Sequence, residues 1–362
     1  MSRKAEKLTT MEDIATAAGV HRTTVSLALR GHPRIPAATR ERIRAIAKRL
    51  RYTPNPLVSV LMSYRAGHRR PNWKAKLGWI TSHRTSERRE RSAYEQMYRG
   101  ACERAEALGY ELESFWGGDP GMSSGRFDRM LKTRNIPGLI IAPGPLKNRF
   151  SEVMAPGLDW SAFSAVTIGY SFATPDLHRI THDYFQSMLT IYEECLRLGY
   201  RRIGLVLFQE SSDKVCRLWL SAYLIQQRTH PESAPLEPLL LERKGWINAT
   251  EAWHRTWKPE VLIMLPHGYA QLLRGDIKGI NTLPWINLAC YDRSGEAAGI
   301  YQNFELIGAT AVDYVSAMIN QGQRGVPEQR RVLQIKGVWV PGKAAPKPRM
   351  RVPRTAPMKR KD

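Results

Sequence analysis

The sequence predicts a small all-α module at the N-terminus, followed by a much larger α/β domain with two lobes. Two features predict this fold class. Residues 11–51 form three short helical patterns separated by tight connections, whereas apolar runs alternate with helical patterns from about residue 76 to residue 342. Runs that predict strands lie at 77–81, 111–115, 138–142, 165–169, 202–208, 261–265 and 285–290, and helices are predicted at about 94–108, 123–134, 183–198 and 304–321. Such alternation is typical of parallel sheets covered by helices. A segment of 267 residues is more naturally divided between two sheets than gathered around one.

The composition indicates a globular protein of the cytoplasm. Its 362 residues are 43% hydrophobic, which is enough to bury a core in more than one domain. The first thirty residues contain no apolar run of the length that a secretory signal or a membrane span requires, so we expect neither. Four cysteines are scattered singly and are expected to be reduced, mostly buried thiols: Cys102, Cys195, Cys216 and Cys290.

The positive charge is concentrated at the two ends of the chain. The net charge is +22; residues 1–75 hold 16 Lys and Arg against 4 Asp and Glu, residues 343–362 hold 8 against 1, and the remaining 267 residues carry only about +3. A basic module on a nearly neutral body indicates a polyanionic partner, which charge alone leaves open between DNA, RNA and anionic lipid. The Pro-rich, basic segment 343–362 is predicted to be a disordered tail.

Three helices are predicted in the N-terminal module. The first covers about 11–18 and ends at Gly19, and the second covers about 22–30. The three-residue connection between them suits two helices that cross at a steep angle, as in a helix-turn-helix. The third helix runs from near Pro36 to about Arg51. Residues with the spacing of a shared core are Ile14, Ala15, Ala18, Val20, Val25 and Leu29.

The outer face of the third helix is strongly basic. A solvated surface explains such a face on its own, but the adjacent helix-turn-helix spacing favours contact with a polyanion. The residues concerned are Arg40, Arg42, Arg44, Lys48, Arg49 and Arg51.

The segment LTTMEDIATAAGVHRTTVSLALRGHPRIPAATRERIRAIAKRLRYTPNPLVSVL resembles the DNA-binding headpiece of the lactose-repressor (LacI) family of transcription regulators. The matching positions are dense, and a random basic three-helix bundle would not reproduce them. They are Asp13, Ala15, Gly19, Val20, Thr24-Val25-Ser26, Thr39-Arg40, Tyr52, Pro54-Asn55 and Leu61. The resemblance implies a helix-turn-helix headpiece over residues 1–53 that binds double-stranded DNA.

The resemblance also assigns roles within the headpiece. The second helix of the motif lies in the major groove in this family, which implies Arg22, Thr23 and Leu27 as readers of base edges. Arg22 can pair with guanine, and the other two can touch a thymine methyl group. Contacts to the DNA backbone are implied for Thr10, His21, Thr24, Ser26, Thr39 and Arg40. For Thr24 and Ser26, helix packing or an exposed surface position explains the residue equally well.

Two headpiece positions depart from the family pattern. His21 stands where the family usually has Ser, and Pro36 stands where it has Ser or Thr, so both usual capping hydroxyls are missing. His21 either contacts a phosphate, which would make DNA binding sensitive to pH, or is an exposed loop residue.

Residues 54–63 resemble the hinge of the family, a short helix that folds on operator DNA. The resemblance implies minor-groove contacts from Asn55, Val58 and Leu61, with Leu61 entering a central base step. A helix of this length does not persist alone in water, so its folding is expected to depend on DNA and on the partner chain. Residues 64–75 are interpreted as a flexible basic linker.

The large domain, residues 76–342, resembles the effector domain of the same family, which has the fold of type I periplasmic binding proteins. The resemblance is carried by ITHDYFQSMLTIYEECLRLGYRRIGLV and by LACYDRSGEAAGIYQNFELIGATAVDYV. Ligands of open parallel sheets bind at the carboxyl ends of strands, so we expect an effector cleft there. Candidates for its lining are Asp292, Asp183, Ser82 and His83, each of which also fits a helix cap or a surface loop.

One further departure concerns the ligand itself. The segment CRLWLSAY aligns with the family segment whose arginine grips the ligand, but Trp219 stands at the arginine position and Arg217 lies two residues earlier. Either Arg217 reaches the ligand through a shifted register, or Trp219 stacks on a sugar ring or a planar ligand. A core tryptophan is the third interpretation.

The sequence contains no Gly-rich phosphate loop, no Gly-x-Ser-x-Gly elbow and no cluster with metal-ligand spacing. We therefore expect no enzymatic activity, no cofactor and no metal. The resemblance implies a homodimer on a roughly palindromic operator, more often a repressor than an activator, controlled by a small-molecule effector such as a sugar; a tetramer stays open. The alternative is a solute-binding protein of a transport system, which shares the large fold but would need an export signal and no headpiece.

Overall fold

The computed structural model describes residues 11–29, 35–50, 75–82, 93–242, 244–266, 270, 277, 279–280, 282–295 and 298–342. The chain divides into two compact units. The first unit contains the N-terminal helices, and the second contains two six-stranded sheets.

The N-terminal unit has three helices, α1 (Met11–Ala18), α2 (Arg22–Leu29) and α3 (Ala37–Arg49). Gly19 ends α1 in the left-handed region, at φ +64°, and the Val20 N–H donates back to the Ala15 carbonyl at 3.1 Å. Arg42 Nη2 donates to the Ala18 carbonyl at 3.2 Å, which ties α3 to the end of α1. The helix-turn-helix prediction is therefore confirmed, with bounds within two residues of those expected.

Small apolar side chains form the core of this unit. The predicted core residues Ile14, Ala15, Ala18 and Val25 are buried, whereas Val20 and Leu29 are only partly buried. The structure adds three core residues from α2 and α3, namely Ala28, Ile43 and Ala47.

The first sheet of the larger unit defines lobe 1. Its strands are β1 (Ala75–Thr81), β2 (Tyr110–Trp116), β3 (Gly138–Ile141), β4 (Ser164–Ile168), β5 (His178–His182) and β11 (Val332–Ile335). They lie in the order β11-β5-β4-β3-β1-β2, and the pairs from β11 to β1 are parallel. The helices α4 (Ala93–Ala107) and α5 (Ser124–Thr133) alternate with the first strands along the chain. The lobe 1 core is rich in phenylalanine: Phe115, Phe127, Phe150, Phe163 and Phe172.

The second sheet defines lobe 2. Its strands are β6 (Ile203–Phe208), β7 (Leu239–Leu241), β8 (Val261–Met264), β9 (Trp285–Cys290), β10 (Gly299–Tyr301) and β12 (Val338–Val340), in the order β12-β10-β9-β8-β6-β7. Only β12 is antiparallel to its neighbour. The helices that accompany these strands along the chain are α6 (Tyr184–Leu198), α7 (Gln209–Asp213), α8 (Leu218–Thr229) and α9 (Trp246–Trp257); α10 (Phe304–Gln321) follows β10. The core packs α6 and α8 against this sheet.

The chain passes between the lobes three times, after β5, after β10 and between β11 and β12. The crossing segments are joined to one another. The Asp183 N–H donates to the Ile335 carbonyl at 3.0 Å, and Asn303 Nδ2 donates to the Lys336 carbonyl at 2.9 Å. A Cβ on Gly337 would lie 2.8 Å from His182 Cε1, so all three connections meet at one place.

The two-lobed architecture agrees with the prediction, but the expected list of elements was incomplete. The predicted runs at 77–81, 138–142, 165–169, 202–208, 261–265 and 285–290 are strands, and the predicted helices at 94–108, 123–134, 183–198 and 304–321 are present within one or two residues. The run at 111–115 lies within the strand β2. The helices α7, α8 and α9 and the short strands β7, β10, β11 and β12 were not predicted. No helix in the described part of the chain is both long and apolar enough to cross a lipid bilayer.

The four cysteines are free thiols, as expected, but only half of them are buried. Cys195 and Cys290 are buried, Cys102 is half-buried and Cys216 is exposed. Burial raises the pKa of Cys195, and it raises the pKa of Cys290 to about 12. These two thiols are therefore inert core residues.

Candidate functional site

The candidate nucleic-acid interface is the side of α2 that faces away from the headpiece core. Val25 and Ala28 are buried against α1 and α3. On the other side of the same helix, Arg22 and Thr23 are exposed and Leu27 is half-buried. The three predicted base readers therefore lie along one accessible side of α2, and two of them are in its first turn, from which a recognition helix contacts base edges.

A histidine caps the N-terminus of α2. Its carbonyl accepts from the Thr24 N–H at 2.8 Å, and its ring Nδ1 accepts from the Thr23 N–H at 3.3 Å. The same Nδ1 lies 3.0 Å from Thr23 Oγ1. His21 is exposed, but it is engaged with the helix and thus replaces the usual capping hydroxyl, an arrangement that the sequence interpretation did not include.

The other predicted backbone contacts lie around this surface. Thr24, Ser26, Thr39 and Arg40 are half-buried. The side chains of Arg42, Arg44 and Arg49 on α3 are exposed, which gives the headpiece a basic surface. Thr10, Asn55, Val58, Leu61 and the ranges 54–63, 64–74 and 343–362 lie outside the described residues, so their assigned roles stay predictions.

The second candidate site lies between the two lobes, where strands of lobe 1 end. Ser82 follows β1, and a Cβ on Gly144 would lie 2.5 Å from its Oγ. The Gly144 N–H donates to Ser171 Oγ at 3.0 Å. Residues that follow β1, β3 and β4 thus meet at one edge of the sheet, as expected for the carboxyl ends of parallel strands. Ser82 is half-buried there, and His83 lies outside the described residues.

Aromatic side chains from both lobes meet across this region. Tyr170 follows β4 in lobe 1, and its ring centroid is 6.3 Å from that of Tyr184 at the start of α6. Tyr184 packs edge-on against Trp219, with centroids 5.0 Å apart. Burial raises the pKa of Tyr184 to about 12, so its hydroxyl is neutral at physiological pH.

A buried arginine fixes the segment that carries Tyr170. Arg179 on β5 is only 2% exposed; its Nη2 donates to the Phe172 carbonyl at 3.0 Å, and its Nη1 donates to the Gly169 carbonyl. The guanidinium carbon lies 5.0 Å from the centre of the Tyr170 ring. Burial lowers the pKa of Arg179, and the carbonyl and ring contacts compensate the buried charge in part.

A hydrogen bond joins the lobes beside these rings. Gln96 on α4 is 4% exposed, and its Nε2 donates to the carbonyl of Tyr291 at 2.9 Å. Tyr291 directly follows β9 of lobe 2. Burial and the nearby Tyr291 raise the pKa of Tyr94, which lies two residues before Gln96 on α4.

Comparison with known proteins identifies the headpiece. Residues 10–55 match the model of a family described as bacterial regulatory proteins, lacI family. The chain is 28% identical over 208 residues to the maltose regulon regulatory protein MalI of Escherichia coli (strain K12), across 57% of this chain and 56% of that protein. The chain thus aligns with little more than half the length of this relative. The family match covers the N-terminal module, residues 10–55, which is similar to the regulatory proteins of the lacI family.

Solved structures share the fold of this chain. The lac repressor dimer bound to operator and the anti-inducer ONPF matches 94% of this chain and 100% of that chain, with 21% identity and a TM-score of 0.53. The transcriptional regulator CelR in complex with cellobiose matches 92% and 100%, with 16% identity and a TM-score of 0.51. At these identities the likeness concerns the fold, and it confirms the predicted two-lobed domain.

The charged side chains predicted to contact an effector already have partners within the protein. Asp183 caps α6, and its Oδ1 accepts from the Gln186 N–H at 3.0 Å. Arg217 Nε donates to Asp213 at 2.8 Å and lowers the pKa of that carboxyl group. Asp292 is exposed, and its Oδ1 accepts from the Ser294 N–H at 2.9 Å. The geometries of Asp183 and Asp292 agree with the cap or loop interpretation, and ligand contact by all three residues stays a prediction.

Trp219 lies on α8 at the family arginine position. It is 4% exposed and packs in the lobe 2 core, yet its Nε1 has no hydrogen-bond partner in the described part of the structure. Sequence reasoning singled out Trp219 but missed Tyr170 and Tyr184. The available signal was their position, because each lies two residues after the end of a lobe 1 strand.

In the ranges that the structure describes, no group of three His, Cys, Asp or Glu side chains could hold a metal ion.

Proposed function

We propose that this chain is a sequence-specific DNA-binding transcription regulator that acts in the cytoplasm as a dimer and represses by occupying its operator. The observation that carries the proposal is the accessible side of α2, where Arg22 and Thr23 project away from the buried Val25 and Ala28. In a helix-turn-helix this helix enters the major groove and reads base edges. The match of residues 10–55 to the lacI family supports the same role.

Specificity and affinity come from different residues in this proposal. Arg22 pairs with guanine, and Thr23 and Leu27 touch thymine methyl groups. The exposed arginines of α3 and the residues His21, Thr24, Ser26, Thr39 and Arg40 lie towards phosphates and set the register of the headpiece on the duplex. A dimer of such headpieces requires two half-sites related by a two-fold axis.

We infer that the cleft between the lobes binds the effector. Tyr170, Tyr184 and Trp219 offer ring surfaces and a buried indole N–H, which suit a ring-bearing ligand with hydrogen-bond acceptors, such as a sugar. The related structures point in the same direction, since CelR is bound to cellobiose and the lac repressor to ONPF. Binding in the cleft would change the relative position of the lobes and thereby the affinity for the operator.

The first test is selection of binding sites from a random duplex pool with the full-length chain at moderate salt. We expect enrichment of a roughly palindromic sequence. For that sequence, Arg22→Ala should weaken binding by about 1–3 kcal/mol and relax the preference at one base pair of each half-site. If no sequence is enriched, the proposed regulatory function is overturned.

The matched control is Arg228→Ala, which removes the same charge from an exposed position on α8. It should leave both affinity and sequence preference unchanged. Equal losses in the two variants would mean that Arg22 contributes only net charge.

A solute-binding protein of a transport system is a weaker candidate, because a DNA-binding headpiece has no role in that function. An enzyme is also a weaker candidate, because the described cleft offers rings and amides and no paired acid and base. Retention of a labelled sugar without any sequence-selective DNA binding would favour the transport function.

A further inference from the structure

The His21 ring fixes the hydrogen-bonding state of Thr23. A backbone N–H can only donate, so His21 Nδ1, at 3.3 Å from the Thr23 nitrogen, must be the ring nitrogen without a proton. The same Nδ1 is 3.0 Å from Thr23 Oγ1. Because an unprotonated nitrogen cannot donate, the Thr23 hydroxyl group must donate to it.

In this arrangement the hydroxyl hydrogen of Thr23, on the accessible side of α2, is already engaged in a hydrogen bond. Thr23 is exposed in the first turn of α2, yet its donor points back to the cap of its own helix. The side chain then has no hydroxyl donor for a base, and it can present only its methyl group and the acceptor lone pairs of its oxygen. A methyl group has one strong partner in the major groove, the C5-methyl group of thymine.

We propose that Thr23 reads thymine through its methyl group and that His21 is the positioning residue that turns its hydroxyl group away from the bases. The inference rests on the proposed function and narrows it to one chemical group on one base. His21 thereby has two roles in this chain: it caps α2, and it engages the hydroxyl hydrogen of Thr23 so that this side chain offers no donor to a base.

The test uses the operator selected with the wild-type chain and two substitutions that separate the parts of the threonine side chain. Thr23→Val keeps the methyl group and removes the hydroxyl group, and it should bind the selected operator within about two-fold of wild type. Thr23→Ser keeps the hydroxyl group and removes the methyl group, and it should lose about four-fold, the worth of one buried methyl group.

A second measurement probes the DNA partner. Thymine is replaced by uracil at one position of each half-site at a time, which removes only the C5-methyl group. One such replacement should weaken wild type and Thr23→Val by about four-fold and leave Thr23→Ser unaffected. Circular dichroism of the full-length variants and their binding to random-sequence DNA at low salt serve as controls for folding, and both should be unchanged.

The positioning role of His21 is tested by its own substitutions. His21→Asn retains an acceptor at the cap and should keep the thymine preference, whereas His21→Ala releases the Thr23 hydroxyl group and should reduce that preference. A purely structural role would lower affinity for every sequence in parallel.

The inference is overturned if Thr23→Val loses as much affinity as Thr23→Ser, or if no uracil replacement distinguishes the two variants. If the wild-type chain selects no sequence at all, the proposed function fails as well. If the wild-type chain binds selectively but Thr23→Val loses affinity and Thr23→Ser does not, only the methyl contact of Thr23 is overturned.

Discussion

The folded protein keeps the imidazole of His182 neutral. It is 1% exposed at the end of β5, and its Nε2 lies 2.7 Å from Ser187 Oγ. Burial lowers the pKa of His182 to about 3. The imidazole of His182 takes up a proton near pH 6.5 in the unfolded chain, but not in the folded chain. The contribution of His182 to the free energy of unfolding is therefore fully present above pH 6.5 and is lost as the pH falls towards 3.

This linkage predicts the behaviour of His182→Gln. The wild-type chain should lose about 3 kcal/mol of unfolding free energy through this residue between pH 7 and pH 4.5, at about 1.4 kcal/mol per pKa unit, and the variant should lose that much less. Urea unfolding at the two pH values measures the difference. His178 and His254, whose pKa values burial also lowers, contribute to the slope of both proteins and so cancel. Parallel pH dependence in the two proteins would contradict the assignment.

Single residues also mark the limit of what the sequence could predict. Val25 was assigned to the core from helical spacing, because that spacing fixes which side of a helix a residue occupies, whereas the roles of Arg22 and Thr23 were implied by the family resemblance. The His21 cap and the Tyr170–Tyr184 contact depend on atoms brought together by the fold. Spacing contains no information about them, and the same holds for the internal partners of Asp183 and Asp292.

At the scale of elements, two glycines set the distance between α4 and α10. A Cβ on Gly308 would lie 1.8 Å from the Met97 carbonyl oxygen, and one on Gly100 would lie 2.1 Å from the carbonyl oxygen of Glu305. The helices therefore touch through their backbones. From the sequence alone these glycines show only a weak tendency to form helix. Their contact could not be predicted, because the helix that each one touches is distant along the chain.

This contact predicts that Gly308→Ala destabilises the larger unit, although alanine favours a helix by about 1 kcal/mol. Separation of the two backbones should cost about 1–3 kcal/mol or more, and thermal or urea unfolding measures the change. Gly125→Ala is the matched control, because Gly125 lies in α5 with nothing within 4 Å of an added Cβ. It should be neutral or slightly stabilising. A similar loss in both variants would point to helix propensity in place of contact.

The predicted elements were the ones that carry their own periodicity. The helices α4, α6 and α10 have 15, 15 and 18 residues, and their patterns were recognised. The strands β7, β10 and β12 have three residues each and exist because a neighbouring strand pairs with them. The strand β11 is exposed along most of its length, so it shows no alternation of buried and exposed residues that a sequence could reveal.

At the scale of the larger unit, the lobes are joined in two ways. The three crossing segments form a covalent hinge, held by the Asp183–Ile335 and Asn303–Lys336 hydrogen bonds. Away from the hinge, Gln96 bridges the lobes through the Tyr291 carbonyl. A hinge permits rotation, whereas a non-covalent bridge beside the cleft stabilises one of the rotated states. The second kind of contact is therefore the one that an effector in the cleft can make or break.

This difference predicts contrasting results for two buried glutamines. Gln96 and Gln226 are each 4% exposed and each donate to a backbone carbonyl, but Gln96 crosses to Tyr291 in the other lobe while Gln226 stays with Leu189 in its own. Both Gln→Met variants should lose about 1–3 kcal/mol of stability. Only Gln96→Met should speed hydrogen exchange in peptides covering 93–100 and 285–295, by about five-fold for a contact worth about 1 kcal/mol, and only it should change operator affinity without effector. Unchanged exchange at 285–295 in Gln96→Met would mean that the bridge stabilises lobe 1 alone and that the hinge segments determine the relative position of the lobes.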